Sequence, residues 1–129
     1  MKFLGIDYGK KKVGLALSEG ALASPLDVIA VSSLQDALIK IEKVIGVEKI
    51  DTVVIGVAES GESKAIAKKF ITELKKQVPF LQVIEVDEHL STQKGKQAMV
   101  ELGVKKSKRK EDDSFAAATI LQDYLDSHR

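Results

Sequence analysis

Three carboxylates, Asp7, Glu88 and Asp113, stand beside the ends of regular elements, and together their side chains could do chemistry. Asp7 follows one apolar run, Glu88 lies just past another, and Asp113 opens the last helical pattern. Were these ends to meet at one sheet edge, like charges would converge, and protons or cations would have to relieve the repulsion. Mg2+ or Mn2+ is the natural counter-charge, because hard divalent cations prefer oxygen ligands. Such a cluster can hold two metal ions about 3.5–4 Å apart, activating water and stabilising the leaving oxygen during phosphodiester cleavage. Neither histidine nor cysteine is required.

Each acid also has a plainer use. Asp7 precedes Tyr8-Gly9 and could shape a turn; Glu88 shares an acidic stretch with Glu85 and Asp87; Asp113 could charge a helix N-terminus. A carboxylate in a buried sheet is costly, which favours a functional use for Asp7. Spacing alone does not single out three of the 19 acids.

Positive charge gathers in two places. Lys105, Lys106, Lys108, Arg109 and Lys110 precede Asp113, and Lys10, Lys11 and Lys12 follow Asp7. A charge run is ordinarily a solvated face; beside a metal site it becomes a phosphate grip with sequence-independent, salt-sensitive affinity. Tyr8 is the only aromatic expected next to the acids, so base stacking is not strongly indicated, and recognition of shape is easier to defend.

These residues must be held by a fold. Lys2 to Ile6 and Val13 to Leu17 are apolar runs separated by a turn-rich segment, Tyr8 to Lys12, which reads as a β-hairpin. Leu26 to Val31, after Pro25, extends the meander. Leu34, Ala37, Leu38, Ile41, Val44 and Ile45 recur at helical spacing, with Gly46 where a stop is expected. Thr52 to Val57 is unbroken and β-branched, as expected of a parallel strand covered on both faces. A helix burying Ala67, Phe70, Ile71 and Leu74 follows, then a strand from Leu81 to Val86. A further helix carries Ala98, Met99 and Leu102 before Gly103. Residues 105–113 read as a mobile loop, and a last helix from about Ser114 has Ala117, Ile120, Leu121, Tyr124 and Leu125 on its stripe. The order implies an α/β fold, a mixed five-stranded sheet with three antiparallel strands, then two parallel ones, and helices on both faces. Small residues at Gly5, Gly14 and Ala16 let a helix or a nucleic-acid backbone approach the sheet, helix packing being the expected use.

At 129 residues the chain is expected to be one domain, 1–129, with one core carrying everything. Its 20 Lys and Arg against 19 Asp and Glu give a net charge of +1, which names no partner. The absence of cysteine excludes disulfides, thiolate metal sites and thiol nucleophiles, and suits a cytoplasmic protein. The N-terminal apolar run meets Asp7 too early for a signal-peptide core, and no stretch is long enough to span a membrane.

Four segments resemble the bacterial YqgF family: Leu4 to Gly9 with Val13 to Ala16; Ala23 to Leu26; Asp87 to Thr92; and Asp113 to Ala117 with Ile120 to Leu125. The resemblance covers nearly the whole chain, in order. It implies a ribonuclease H-like fold and a family described both as Holliday-junction resolvases and as nucleases that process the 5′ end of pre-16S ribosomal RNA. By this resemblance the catalytic, metal-holding acids fall on Asp7, Glu88 and Asp113. The family's Asp-Ser step before paired alanines matches Asp113-Ser114 and so excludes the adjacent Asp112. His89 stands where the family has Arg, and Lys11-Lys12 where it has Lys-Arg, so the resemblance implies loss of the bidentate fork at both places and a weaker phosphate grip at His89. The segment Gly56 to Gly61 is shorter than the family's and lacks its proline.

The resulting expectation is a Mg2+- or Mn2+-dependent phosphodiesterase acting on structured RNA, with ribosomal precursor particles as a partner. Branched DNA is the alternative substrate, and the protein is a monomer or a homodimer. Lys10, Lys11, Lys12, His89 and the Lys105 to Lys110 cations would hold nucleic acid. An ATP-binding relative of the actin and sugar-kinase fold would also open with Asp-x-Gly, but no chain remains for its second lobe. A non-catalytic adaptor would bind nucleic acid and tolerate loss of Asp7.

Overall fold

Every residue of the strand Thr52–Val57 is buried, as its unbroken apolar run predicts, so it needs cover on both faces. The computed structural model describes residues 1–87 and 112–128, with Asp112 and Asp113 described through their backbone only. In order these form β1 (Phe3–Tyr8), β2 (Lys12–Ser18), β3 (Ala23–Ala30), α1 (Leu34–Glu48), β4 (Thr52–Val57), α2 (Gly61–Gln77), β5 (Gln82–Asp87) and α3 (Asp112–Ser127). One sheet has the order β3-β2-β1-β4-β5. β2 is antiparallel to β1 and β3, whereas β4 is parallel to β1 and β5.

Alternation along the strands divides the core in two. Leu4, Ile6, Val13, Leu15, Val53 and Ile55 meet Leu38 and Ile41 of α1 and Phe70 and Leu74 of α2. On the other face Phe3, Ala16 and Val54 meet Ala117, Ile120, Leu121 and Leu125 of α3. Each fully buried Leu, Ile or Phe stabilises the fold by about 1.5–3 kcal/mol relative to an exposed one. These contacts therefore fix which strand faces are covered by which helix.

Several boundaries differ from expectation. Tyr8 pairs with Val13 and Lys12 with Ala30, so the hairpin turn contracts to Gly9, Lys10 and Lys11. β3 starts at Ala23, before the expected Leu26, and carries Pro25 inside it. It is an edge strand, where proline withdraws no essential donor, and the register shifts opposite Leu15 and Ala16.

Gly46 does not stop α1. The helix runs on to Glu48, and Lys49 takes the left-handed conformation (φ 56°, ψ 49°). The Lys49 N–H donates to the Gly46 carbonyl and the Ile50 N–H to the Ile45 carbonyl at 2.9 Å, while Ile45 and Ile50 are both buried. This is a Schellman ending, and the apolar contact overrides the glycine signal. At the other end the Ser33 hydroxyl accepts from the Asp36 N–H, and the Asp36 carboxylate accepts from the Ser32 N–H at 2.9 Å. The helix expected over Ala98 to Leu102 lies outside the described residues. The loop expected over 105–113 is corrected at its end, where Asp112 and Asp113 already belong to α3.

Candidate active site

Asp7 lies on β1, the middle strand of the sheet, and is half-buried. Phe3 packs in the α3 core and Leu4 and Ile6 in the opposite one, so alternation puts Asp7 on the α3 face. Its register partners are Gly14 on β2 and Gly56 on β4. Both neighbours lack a side chain, so no side chain of the adjoining strands stands level with the carboxylate. Gly56 in turn pairs with Val86 of β5, and β5 ends at Asp87. Glu88, the next residue in the chain, lies outside the described residues.

α3 crosses this face antiparallel to β1. Phe3 meets Tyr124, with ring centroids 6.3 Å apart, and Gly5 lies under Ala117 and Leu121. A Cβ on Gly5 would stand 2.8 Å from both the Ala117 carbonyl oxygen and the Leu121 Cβ. Gly5 thus serves the helix approach expected of it. Going from Gly5 to Asp7 advances about 6.6 Å along a strand, and going from Ala117 back to Asp113 covers about 6 Å along a helix. The backbone of Asp113, in the first turn of α3, therefore lies at the Asp7 end of the sheet. Among the described residues no three His, Asp or Glu side chains form a metal-sized group, but that set omits Glu88 and the Asp113 side chain.

Gln122 fastens the same helix laterally. Its Oε1 accepts from the Ala23 N–H at 2.8 Å, and its Nε2 donates to the Ala21 carbonyl at 3.1 Å. The C-terminal end of α3 is held by Phe3 of β1 against Tyr124, and Tyr124 also stacks on His128, just past the helix, with centroids 4.1 Å apart. Together with the Gly5 approach, these contacts set the depth and the rotation at which α3 sits on the sheet.

Of the expected nucleic-acid contacts, Lys10, Lys11 and Lys12 are described, and all are exposed at the β1–β2 turn. Lys10 pairs with Glu62 of α2 at 3.2 Å; so exposed an ion pair contributes little to stability. His89, Lys105, Lys106, Lys108, Arg109 and Lys110 lie outside the described residues. Tyr8 is corrected: it points to the opposite face from Asp7 and stacks on Phe70 with centroids 4.5 Å apart. Burial there raises its phenol pKa.

Sequence reasoning missed Phe115. It lines an open groove of about 590 Å³ with Lys12, Pro25, Leu26, Val28 and Ser114, between the edge strand β3 and the start of α3. The signal was available, because Phe115 is off the stripe of Ala117, Ile120, Leu121 and Tyr124. An aromatic away from the packed stripe of an amphipathic helix points to a second surface.

Comparison with known proteins gives the class first. Thermus thermophilus RuvC in complex with a Holliday junction superposes with a TM-score of 0.67 at 14% identity, over 99% of this chain and 95% of that one. The fowlpox virus Holliday junction resolvase superposes with a TM-score of 0.64 at 16% identity, over the whole of both chains. The fold is thus the ribonuclease H-like fold of these resolvases. More narrowly, the chain belongs to the family described as "RuvX: Holliday junction resolvase", which it matches over residues 1–127, the family also called YqgF. A relative from Staphylococcus carnosus, named "Putative pre-16S rRNA nuclease", is 38% identical over 98% of this chain and 96% of its own length. The chain is accordingly a nuclease, a hydrolase whose substrate is nucleic acid.

Proposed function

We propose that residues 1–129 form one nuclease domain that hydrolyses phosphodiester bonds in structured RNA, at the 5′ end of pre-16S rRNA in the cytoplasm. The observation that carries the site is Asp7 on the middle strand, flanked by Gly14 and Gly56, with the first turn of α3 on the same face. The substrate assignment rests on the name carried by relatives such as the Staphylococcus carnosus protein. Ribosomal precursor particles are the corresponding partner.

Asp7, Glu88 and Asp113 are the proposed catalytic acids. Family membership implies a divalent metal, and Mg2+ or Mn2+ is the proposed ion. The donor set fits: the proposed ligands are carboxylate oxygens, which hard divalent cations prefer, and both register neighbours of Asp7 are glycines. Bound there, the ion supplies charge neutralisation at the phosphate and activation of the attacking water. The chain's own part is to set the places of Asp7 and of the Asp113 backbone. Asp7 is fixed by strand pairing on both sides, and Asp113 by the depth of α3. Lys10, Lys11, Lys12, His89, Lys105, Lys106, Lys108, Arg109 and Lys110 are proposed to hold the sugar-phosphate backbone, a contact that weakens steeply with salt.

A second reading, cleavage of branched DNA, is favoured by the family description and would call for a homodimer presenting two sites to a symmetric junction. The test is cleavage of a pre-16S 5′ fragment and of a four-way DNA junction, with Mg2+, Mn2+ or EDTA, by wild type and Asp7→Asn. RNA cleavage that needs metal and falls at least about 100-fold in Asp7→Asn is expected, with Tm held or raised because a crowded charge is removed. Cutting that survives the substitution would refute the site. Junction cleavage by a dimer would move the substrate to DNA.

A further inference from the structure

We propose that the groove between β3 and the first turns of α3 seats a nucleobase of the substrate strand, stacked on Phe115, with Lys12 on the adjoining phosphate. The proposal rests on the nuclease reading of Asp7 and deepens it by naming a subsite for a base. The groove lies in the same row of the sheet as the candidate site: Asp7 pairs with Gly14, and Gly14 pairs with Val28, which lines the groove. Two inter-strand spacings, about 10 Å, separate Asp7 from Val28. Between them stands only a glycine, so no side chain of the sheet separates the two places.

The lining matches the occupant. Pro25, Leu26, Val28 and Phe115 present apolar surface, as the faces of a base require. Among the described lining residues Lys12 and Asp27 carry the charges, one of each sign, beside a mainly apolar surface. Asp27 accepts the N–H of Val28 at 2.8 Å, which keeps its carboxylate at the backbone of β3. Lys12 is the first residue of β2 and pairs with Ala30, which also lines the groove, placing one exposed cation at its end for a phosphate.

Phe115 faces β3 for a structural reason. It shares a helical stripe with Ala118 and Gln122, and Gln122 binds Ala21 and Ala23 where β3 begins. The clamp at Gln122 therefore turns the whole stripe toward the edge strand. A one-face aromatic of this kind stacks on any base, so the subsite confers strand positioning rather than sequence choice.

The experiment walks a single abasic nucleotide through the cleaved strand and measures KM and kcat for the wild-type protein at each position. One position near the scissile phosphate is expected to raise KM about 5- to 150-fold, the range that one stacked base contributes. In Phe115→Ala that penalty should vanish, and in Phe115→Trp it should persist, which separates stacking from a loss of folding. Cleavage with a flat abasic profile would overturn the subsite while leaving the nuclease reading intact. A peak that persists unchanged in a folded Phe115→Ala would overturn it too. Absence of metal-dependent, Asp7-dependent cleavage would instead remove the reading on which the subsite rests, and the subsite with it.

Discussion

Gly5→Ala is the substitution that most directly links packing to catalysis. The new Cβ would stand 2.8 Å from the Ala117 carbonyl oxygen and the Leu121 Cβ, about 0.6 Å inside the 3.4 Å at which ordinary contact begins. Neither partner is the tip of a flexible side chain; one is helix backbone and the other is fixed to it. α3 must therefore lift or slide. Overpacking of this kind costs about 1–3 kcal/mol, and alanine recovers about 0.4–1 kcal/mol by restricting the unfolded chain. The net loss of about 1–2 kcal/mol lowers Tm by roughly 3–10 °C for a chain of this size. The larger effect is expected on the chemistry, because the proposed catalytic acid Asp113 rides on the first turn of the displaced helix. A misplacement of about 1 Å can cost on the order of 100-fold in rate. We expect kcat to fall between about 10- and 100-fold at a temperature where the variant is fully folded, and half-saturating Mg2+ to rise. Thermal melts, circular dichroism and cleavage across a metal titration measure the three quantities. A variant with the lowered Tm but wild-type kcat and metal dependence would refute the idea that the depth of α3 sets the site.

Gln122→Ala removes the acceptor of the Ala23 N–H and the donor to the Ala21 carbonyl, and should destabilise the protein by about 1–3 kcal/mol in denaturant melts. A change within error would show that water replaces both bonds. Lys49→Gly relieves a left-handed lysine at the end of α1; relief of about 1–2 kcal/mol offset by glycine's own entropy predicts a net gain of about 0.5–1 kcal/mol. Loss of stability there would mean that the lysine side chain, not its backbone, matters. The Asp51 pKa is lowered by the hydrogen bond from the Lys2 N–H and then by the Thr52 hydroxyl, so its contribution is present above the unfolded carboxylate value near 3.9 and is lost as pH falls through the folded value. The Tm gap between wild type and Asp51→Ala should accordingly be full above about pH 5 and close below about pH 4. A gap unchanged at pH 2 would remove the electrostatic explanation.

The elements that could be read from the sequence were those governed by one period. Alternation and helical spacing gave the sheet, both helix faces and the stripe of α3, because burial of one face dictates them. Ends were less legible. The stop of α1 depends on Ile50 reaching Ile45, and the start of β3 depends on its being an edge, and neither is a local property. Tyr8 shows the opposite failure. Its placement away from Asp7 follows from alternation alone, yet adjacency in sequence suggested adjacency in space.

The glycine on each side of Asp7 is a property of register, and no single residue reveals it. Gly14 and Gly56 mean little by themselves; they matter because pairing sets them on either side of one carboxylate. Shifting β2 by one residue would put Val13 or Leu15 beside Asp7 and turn every apolar residue of that strand to the wrong face. Leu15 and Val13 are fully buried against α1 and α2, so the core forbids the slip. The same hydrophobic alternation that selects the register therefore also keeps the glycines level with Asp7.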